Sequence, residues 1–244
     1  MNIRFHRPIS AGLGALVLTL GSGAARAASP ELEWIGIAYV WAADIGVDSR
    51  DASIAVDFED VIDKLEFAFQ GHVEAQADDF GGFVDISYLS VGDNREADLT
   101  RINADLDMML MDLALVWSPA SESFTGAELY GGLRYVDADF GLVADFPVGP
   151  PLETGIDKSY YDLLVGARYI TPLNDEWRLT FTGDVSGGDT EGTWSLGAFA
   201  GYRTGPHHFI AGYRHYEMEV EAAHGEERVK QTFTGPLVAY GYSF

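Results

Sequence analysis

The sequence has no cysteine, so no disulfide staples the fold, and its own hydrogen bonding must hold it together. It is poor in positive charge, with 15 Lys and Arg against 38 Asp and Glu. That balance sets nucleic acid aside as a partner. Beyond residue 28 it also lacks any apolar run long enough for a membrane helix. If this chain crosses a bilayer it must cross with strands closed into a barrel, because hydrocarbon offers no partner for an open sheet edge.

The exception to that lack of apolar runs lies at the start. Arg4 and Arg7 form a basic segment, residues 9–23 an apolar one, and Ala25-Arg26-Ala27 a small-x-small cleavage site. Residues 1–27 are therefore expected to be a cleaved export signal; the apolar segment is shorter than the roughly 18 residues a spanning helix needs. The barrel is expected to occupy 28–244. Cleavage removes three of the 15 basic residues and no acid, which leaves 12 basic against 38 acidic.

What is abundant is alternation. From the C-terminal end, Phe244, Tyr242, Tyr240 and Val238 alternate with Ser243, Gly241, Ala239 and Leu237, and 233–244 carries no charge. A soluble sandwich strand would place its bulk inward and charge outward; here the bulky face calls for lipid. Tyr240, Tyr242 and Phe244 resemble the closing strand of Gram-negative outer-membrane barrels, which implies recognition by the barrel assembly machinery. Similar patterning predicts strands over 32–41, 67–76, 82–91, 106–117, 129–136, 158–170, 177–186, 193–203 and 209–218. The result is an all-β, antiparallel up-and-down transmembrane barrel of ten strands, with eight as the alternative. Loops are expected over 42–66, with a short helix over 58–65, and over 92–105, 137–157, 187–192 and 219–228. Longer acidic loops alternate with short turns, the asymmetry of a barrel with an outer and a periplasmic side.

Parity places Glu74, Asp85, Asp112, Glu128, Asp162 and Asp184 inward with Arg134, Arg168, Arg178, Arg203 and Arg214. An arginine on the lipid side at the midplane would cost about 2–4 kcal/mol. Gly132-Leu133-Arg134, Gly166-Ala167-Arg168, Gly201-Tyr202-Arg203 and Gly212-Tyr213-Arg214 repeat one pattern. In each, an inward glycine is expected to leave room for a guanidinium that pairs with the inward carboxylates. So many inward charges in so narrow a barrel predict a plugged or very narrow lumen.

Tyr39-Val40-Trp41, Asp57-Phe58-Glu59-Asp60, Leu65-Glu66-Phe67-Ala68-Phe69, the Gly-Leu-Arg-Tyr and Gly-Ala-Arg-Tyr hairpins and Gly235-Pro236-Leu237 onward resemble an uncharacterised family of proteobacterial outer-membrane β-barrel proteins. In build the chain is similar to small barrels of the outer-membrane protein A and opacity-protein type. The resemblance implies an outer-membrane location, lipid and lipopolysaccharide as surroundings, a monomer, and a structural or surface-interaction role; it transfers no activity.

A narrow pore for ions or small solutes is the first alternative. A surface lipid-modifying enzyme is the second, with His215 and Glu217 as its conceivable pair. Of the remaining histidines, His72 is expected inward near Glu74, while His207 and His208 fall in a turn and His224 in a loop. Asp57, Glu59, Asp60 and Asp63 lack calcium-loop spacing and are read as a solvated loop that gathers divalent cations only diffusely. No catalytic residue, cofactor or specific metal site is assigned.

Overall fold

A computed structural model describes residues 32–48, 53–56, 58–59, 65–97, 100–119, 124–145, 152–221 and 228–244. The proposed leader, Asp57, Asp60, Asp63 and His224 lie outside them. Ten long strands form the wall: β1 (Glu33–Trp41), β4 (Leu65–Ala77), β5 (Phe80–Ala97), β6 (Thr100–Trp117), β7 (Gly126–Asp145), β8 (Leu152–Pro172), β9 (Trp177–Gly188), β10 (Gly192–Thr204), β11 (His207–Glu221) and β12 (Arg228–Ser243). Neighbours in sequence pair antiparallel, and β12 returns to β1 from Ile35↔Ser243 to Trp41↔Leu237, closing the cylinder. The ten-stranded architecture is the one the alternation predicts.

Several expected loops are strand instead. Most of 92–105 and 137–157 extends β5 to β8 beyond the wall, in continuous register such as Asn94↔Asn103 and Phe140↔Ile156. Strand that continues past the bilayer no longer needs an apolar face, so its polar sequence reads as loop. The first loop holds a second surprise, a ribbon of β2 (Asp44–Asp48) and β3 (Ser53–Val56). β2 continues the line of β1 along β12, Asp44↔Thr234 to Asp48↔Lys230, and β3 turns back on it. Between β1 and β2 the register along β12 is unbroken, Trp41↔Leu237 leading to Asp44↔Thr234, and the backbones approach so closely that a Cβ on Gly235 would lie 1.9 Å from the Ala42 carbonyl oxygen. Pro236 sits beside this approach, its carbonyl accepting from Ala42 N at 2.9 Å. Of the helix expected over 58–65, Phe58 and Glu59 are helical, whereas Leu65 is the first residue of β4; 60–64 lie outside the described residues.

The outward face is apolar. Leu113, Leu133 and Leu163 lie side by side across β6, β7 and β8, and all three are exposed. Aromatics flank this band. Trp34, Trp117, Trp177, Tyr242 and Phe244 stand exposed at the end bearing the short turns, while Tyr135 packs on Tyr161 toward the long-strand end. An apolar belt between aromatic girdles is the exterior of a barrel in lipid.

Candidate functional site

The side chains that distinguish this barrel are inside it. Arg168, on β8, forks onto Glu74 of β4 (Nη1 to Oε2 2.8 Å, Nη2 to Oε1 2.5 Å) and donates from Nε to Glu128 Oε2 at 2.5 Å. Gln76 Nε2 bridges the two carboxylates, and Ser118 Oγ donates to Glu128. His72 lies 3.1 Å from both Glu74 and Asp85, whose other oxygen accepts from the Tyr39 hydroxyl at 2.8 Å.

A second cluster lies farther from the short turns. Arg134, fully buried, donates to both oxygens of Asp112 at 2.8 Å and to Thr193 Oγ1 at 2.7 Å. Its Nη2 is also 2.9 Å from Asp184 Oδ1. That oxygen receives no directed hydrogen bond, so the contact is one of charge. Asp184 accepts from Ser195 and from Tyr130. Each satisfied lone pair matters here, because a buried charge is tolerated only when paired and hydrogen-bonded.

All eleven charges fall on the inward parity, but their partners differ from the expected arginine–carboxylate pairing. Asp162 is held by neutral donors: Ser186 Oγ at 2.9 Å, the Thr190 amide at 3.0 Å and Thr190 Oγ1 at 2.5 Å. Arg214 lies over the Trp41 ring, 4.9 Å from its centroid. Arg178 meets His208 Nδ1 at 2.7 Å, and Arg203, exposed at the short-turn end, donates to the Gly205 carbonyl. Among the described residues Arg178, Arg203 and Arg214 have no carboxylate partner at ion-pair distance. His208, expected as an exposed turn residue, is buried, with Nε2 on Ser243 Oγ at 2.7 Å.

The glycines of the repeat also do another job than expected. The space over Gly166 is taken by the Tyr130 ring and that over Gly212 by Phe199 and the β10 backbone, while Gly132 lies against the backbone of β6. Only Gly201 makes room for an arginine, its would-be Cβ 3.3 Å from Cγ of Arg178.

The interior is not ionic throughout. Tyr39, Trp41, Met108, Leu110, Val136, Tyr160, Tyr216, Met218, Val220, Phe233 and Leu237 form an apolar cluster across the lumen on the long-strand side. Sequence reasoning missed it, although Tyr39 and Trp41 share the parity of inward Ile35 and Ile37. Between this cluster and the short turns lies a cavity of about 240 Å³. Its apolar wall includes Ile35, Ile37, Phe199, Ile210 and Ala239, and its polar wall includes Asp85, Thr182, Asp184 and Arg178.

His215 and Glu217 do not meet as a catalytic pair. His215 Nδ1 contacts Thr234 Oγ1 at 2.6 Å, and Glu217 accepts from Trp194 Nε1 at 3.1 Å and faces Lys230 at 3.5 Å.

No family model matches the sequence, and no curated protein matches it. Among solved structures, the outer membrane protease OmpT from Escherichia coli is similar at 10% identity and a TM-score of 0.53, covering 88% of this chain and 98% of that one. Ail, the attachment invasion locus protein of Yersinia pestis, is similar at 11% identity and a TM-score of 0.41, covering 87% and 98%. Neisserial surface protein A is similar at 13% and 0.30, covering 84% and 96%. The likeness to OmpT is one of fold: this chain is a closed ten-stranded antiparallel barrel of the outer-membrane type.

Proposed function

We propose that the chain is an integral outer-membrane barrel, exported by a signal cleaved after Ala27, with a closed lumen and a structural or surface-interaction role rather than an enzymatic one. In this reading it is a monomer among outer-membrane lipid and lipopolysaccharide, its short turns face the periplasm, and the assembly machinery reads Tyr240, Tyr242 and Phe244. The observation that carries it is the double obstruction of the lumen. Arg168 ties β8 across the interior to β4, and the Tyr216–Met218 cluster packs the space farther along. Fixed charges that spend their hydrogen bonds on one another, backed by a layer of buried aromatic and aliphatic side chains, support a closed lumen.

Planar-bilayer recording tests this. The wild-type barrel is expected to carry no steady single-channel current, and Arg168→Ala alone to stay silent because the apolar layer remains. Combining it with Tyr216→Ala and Met218→Ala is expected to produce stepwise current. A steady current from the wild type would establish the narrow pore instead.

A further inference from the structure

The cavity beneath the apolar layer has the Arg178 guanidinium at its short-turn end, hydrocarbon along one side, and Glu74, Asp85, Asp112 and Asp184 elsewhere in its wall. The guanidinium of Arg178 carries five N–H donors. Among the described residues only one contact is made, to Nδ1 of His208. His208 spends its other nitrogen on Ser243; accepting from an arginine at one nitrogen and donating from the other requires the neutral ring. Arg203 faces His208 across the β10–β11 ladder and makes one bond, to a carbonyl. At its short-turn end the cavity is therefore lined by one guanidinium, that of Arg178, with most of its donors unspent, while Arg203 stands exposed outside the lining. Of the arginines deeper in the lumen, Arg134 and Arg168 are each committed to carboxylates, and Arg214 lies over the Trp41 ring.

Next to Arg178 the wall is shaped for a guest. Gly201, opposite Arg178 in register, adds no side chain, and Thr180 adds a hydroxyl one inward position along β9. Ile35, Ile37, Ile210 and Ala239 continue the surface inward as hydrocarbon. An apolar cavity of about 150 Å³ is enough to take benzene. The 240 Å³ here has room for one aromatic ring with a short charged arm, and not for a long acyl chain.

We propose that this cavity binds a small monoaromatic carboxylate, its carboxylate held by the Arg178 fork with Arg203 nearby and its ring on the Ile35, Ile37, Ile210 and Ala239 side. A planar carboxylate matches two parallel guanidinium donors. The proposal is independent of whether the lumen conducts: conductance reads the apolar layer, whereas binding reads the chamber beneath it.

The test uses the full chain in uncharged detergent micelles, with phenylacetate as probe and phenylacetamide and acetate as controls. Phenylacetate is expected to bind saturably at one site and to shift the methyl resonances of Ile35, Ile37 and Ile210. Phenylacetamide, without charge, and acetate, without a ring, are each expected to bind at least about ten-fold more weakly, the scale of one lost charge-assisted pair or one lost apolar contact surface. Arg178→Gln should reproduce the amide's loss with phenylacetate, and Ala239→Phe, which fills the chamber, should abolish binding. Absence of saturable binding to the wild type overturns the proposal without any variant. So does equal affinity for acid and amide, or methyl shifts confined to the outward face.

Discussion

Arg168 and Glu74 lie 94 positions apart in the chain, and their side chains meet across the lumen as a two-pronged pair. β8 and β4 are not neighbours in the sheet, so this contact spans the barrel and is not part of the ladder. Arg168→Met is expected to leave Glu128, essentially without solvent, with only the neutral donors Gln76 and Ser118, and Glu74, equally buried, with only Gln76 and His72. The cost should be about 3–5 kcal/mol. Arg168→Lys should recover only part of it, since one ammonium cannot span the three oxygens that the fork and Nε now reach. Reversible urea unfolding in lipid measures both, and a wild-type midpoint for Arg168→Met would remove the pair from the account of stability.

Asp162 offers a contrast within the same lumen. Its partners are hydroxyls and one amide, so an uncharged acceptor can keep most of the bonds. Asp162→Asn should cost only about 1 kcal/mol, the value of an ordinary hydrogen bond. A loss as large as that of Arg168→Met would mean that an arginine had been Asp162's partner after all.

How much of this was legible depended on which physical rule wrote the residue. A lipid face forbids charge, so inward parity of Glu74, Arg134, Asp162 and their fellows followed from sequence, as did ten strands. Partner choice did not. The stagger between strands sets which inward residues come level, so Arg134 reaches Asp112 and Thr193, while Asp162, its cross-strand neighbour, turns to Ser186 and Thr190. The apolar layer was hidden for a related reason: an inward Tyr216 or Met218 looks, on its own strand, like an outward one. The β2–β3 ribbon was masked by acids, because a ribbon beyond the membrane needs no apolar face.

Glycine gives a sharper test of the wall. A Cβ at Gly132 would lie 1.9 Å from the Leu113 carbonyl, whereas one at Gly187 would meet nothing within 4 Å. Gly132→Ala must push β6 and β7 apart and should cost upward of about 2 kcal/mol, at the heavy end of overpacking. Gly187→Ala should change stability by less than about 0.5 kcal/mol. The paired unfolding measurements check the register directly, and equal effects would sink it.

The assignment of faces has its own test on a single strand. Val165 is 58% exposed and lies midway between the exposed Tyr161 and Tyr169 on the outward face of β8, beside Val185 of β9. If those tyrosines mark the two interfaces, Val165 sits near the centre of the hydrocarbon, and Val165→Arg should cost about 2–4 kcal/mol. Ser159 shares that face but lies beyond Tyr161, where it bonds to Asp137 at 2.6 Å. Ser159→Arg should cost no more than about 1 kcal/mol, because the penalty falls toward the interface. The comparison is made by refolding both variants into the same bilayer vesicles. A soluble protein would tolerate arginine equally at two exposed positions, so equal costs would take the outward face out of lipid, whereas a steep difference between them follows only if hydrocarbon surrounds the middle of β8.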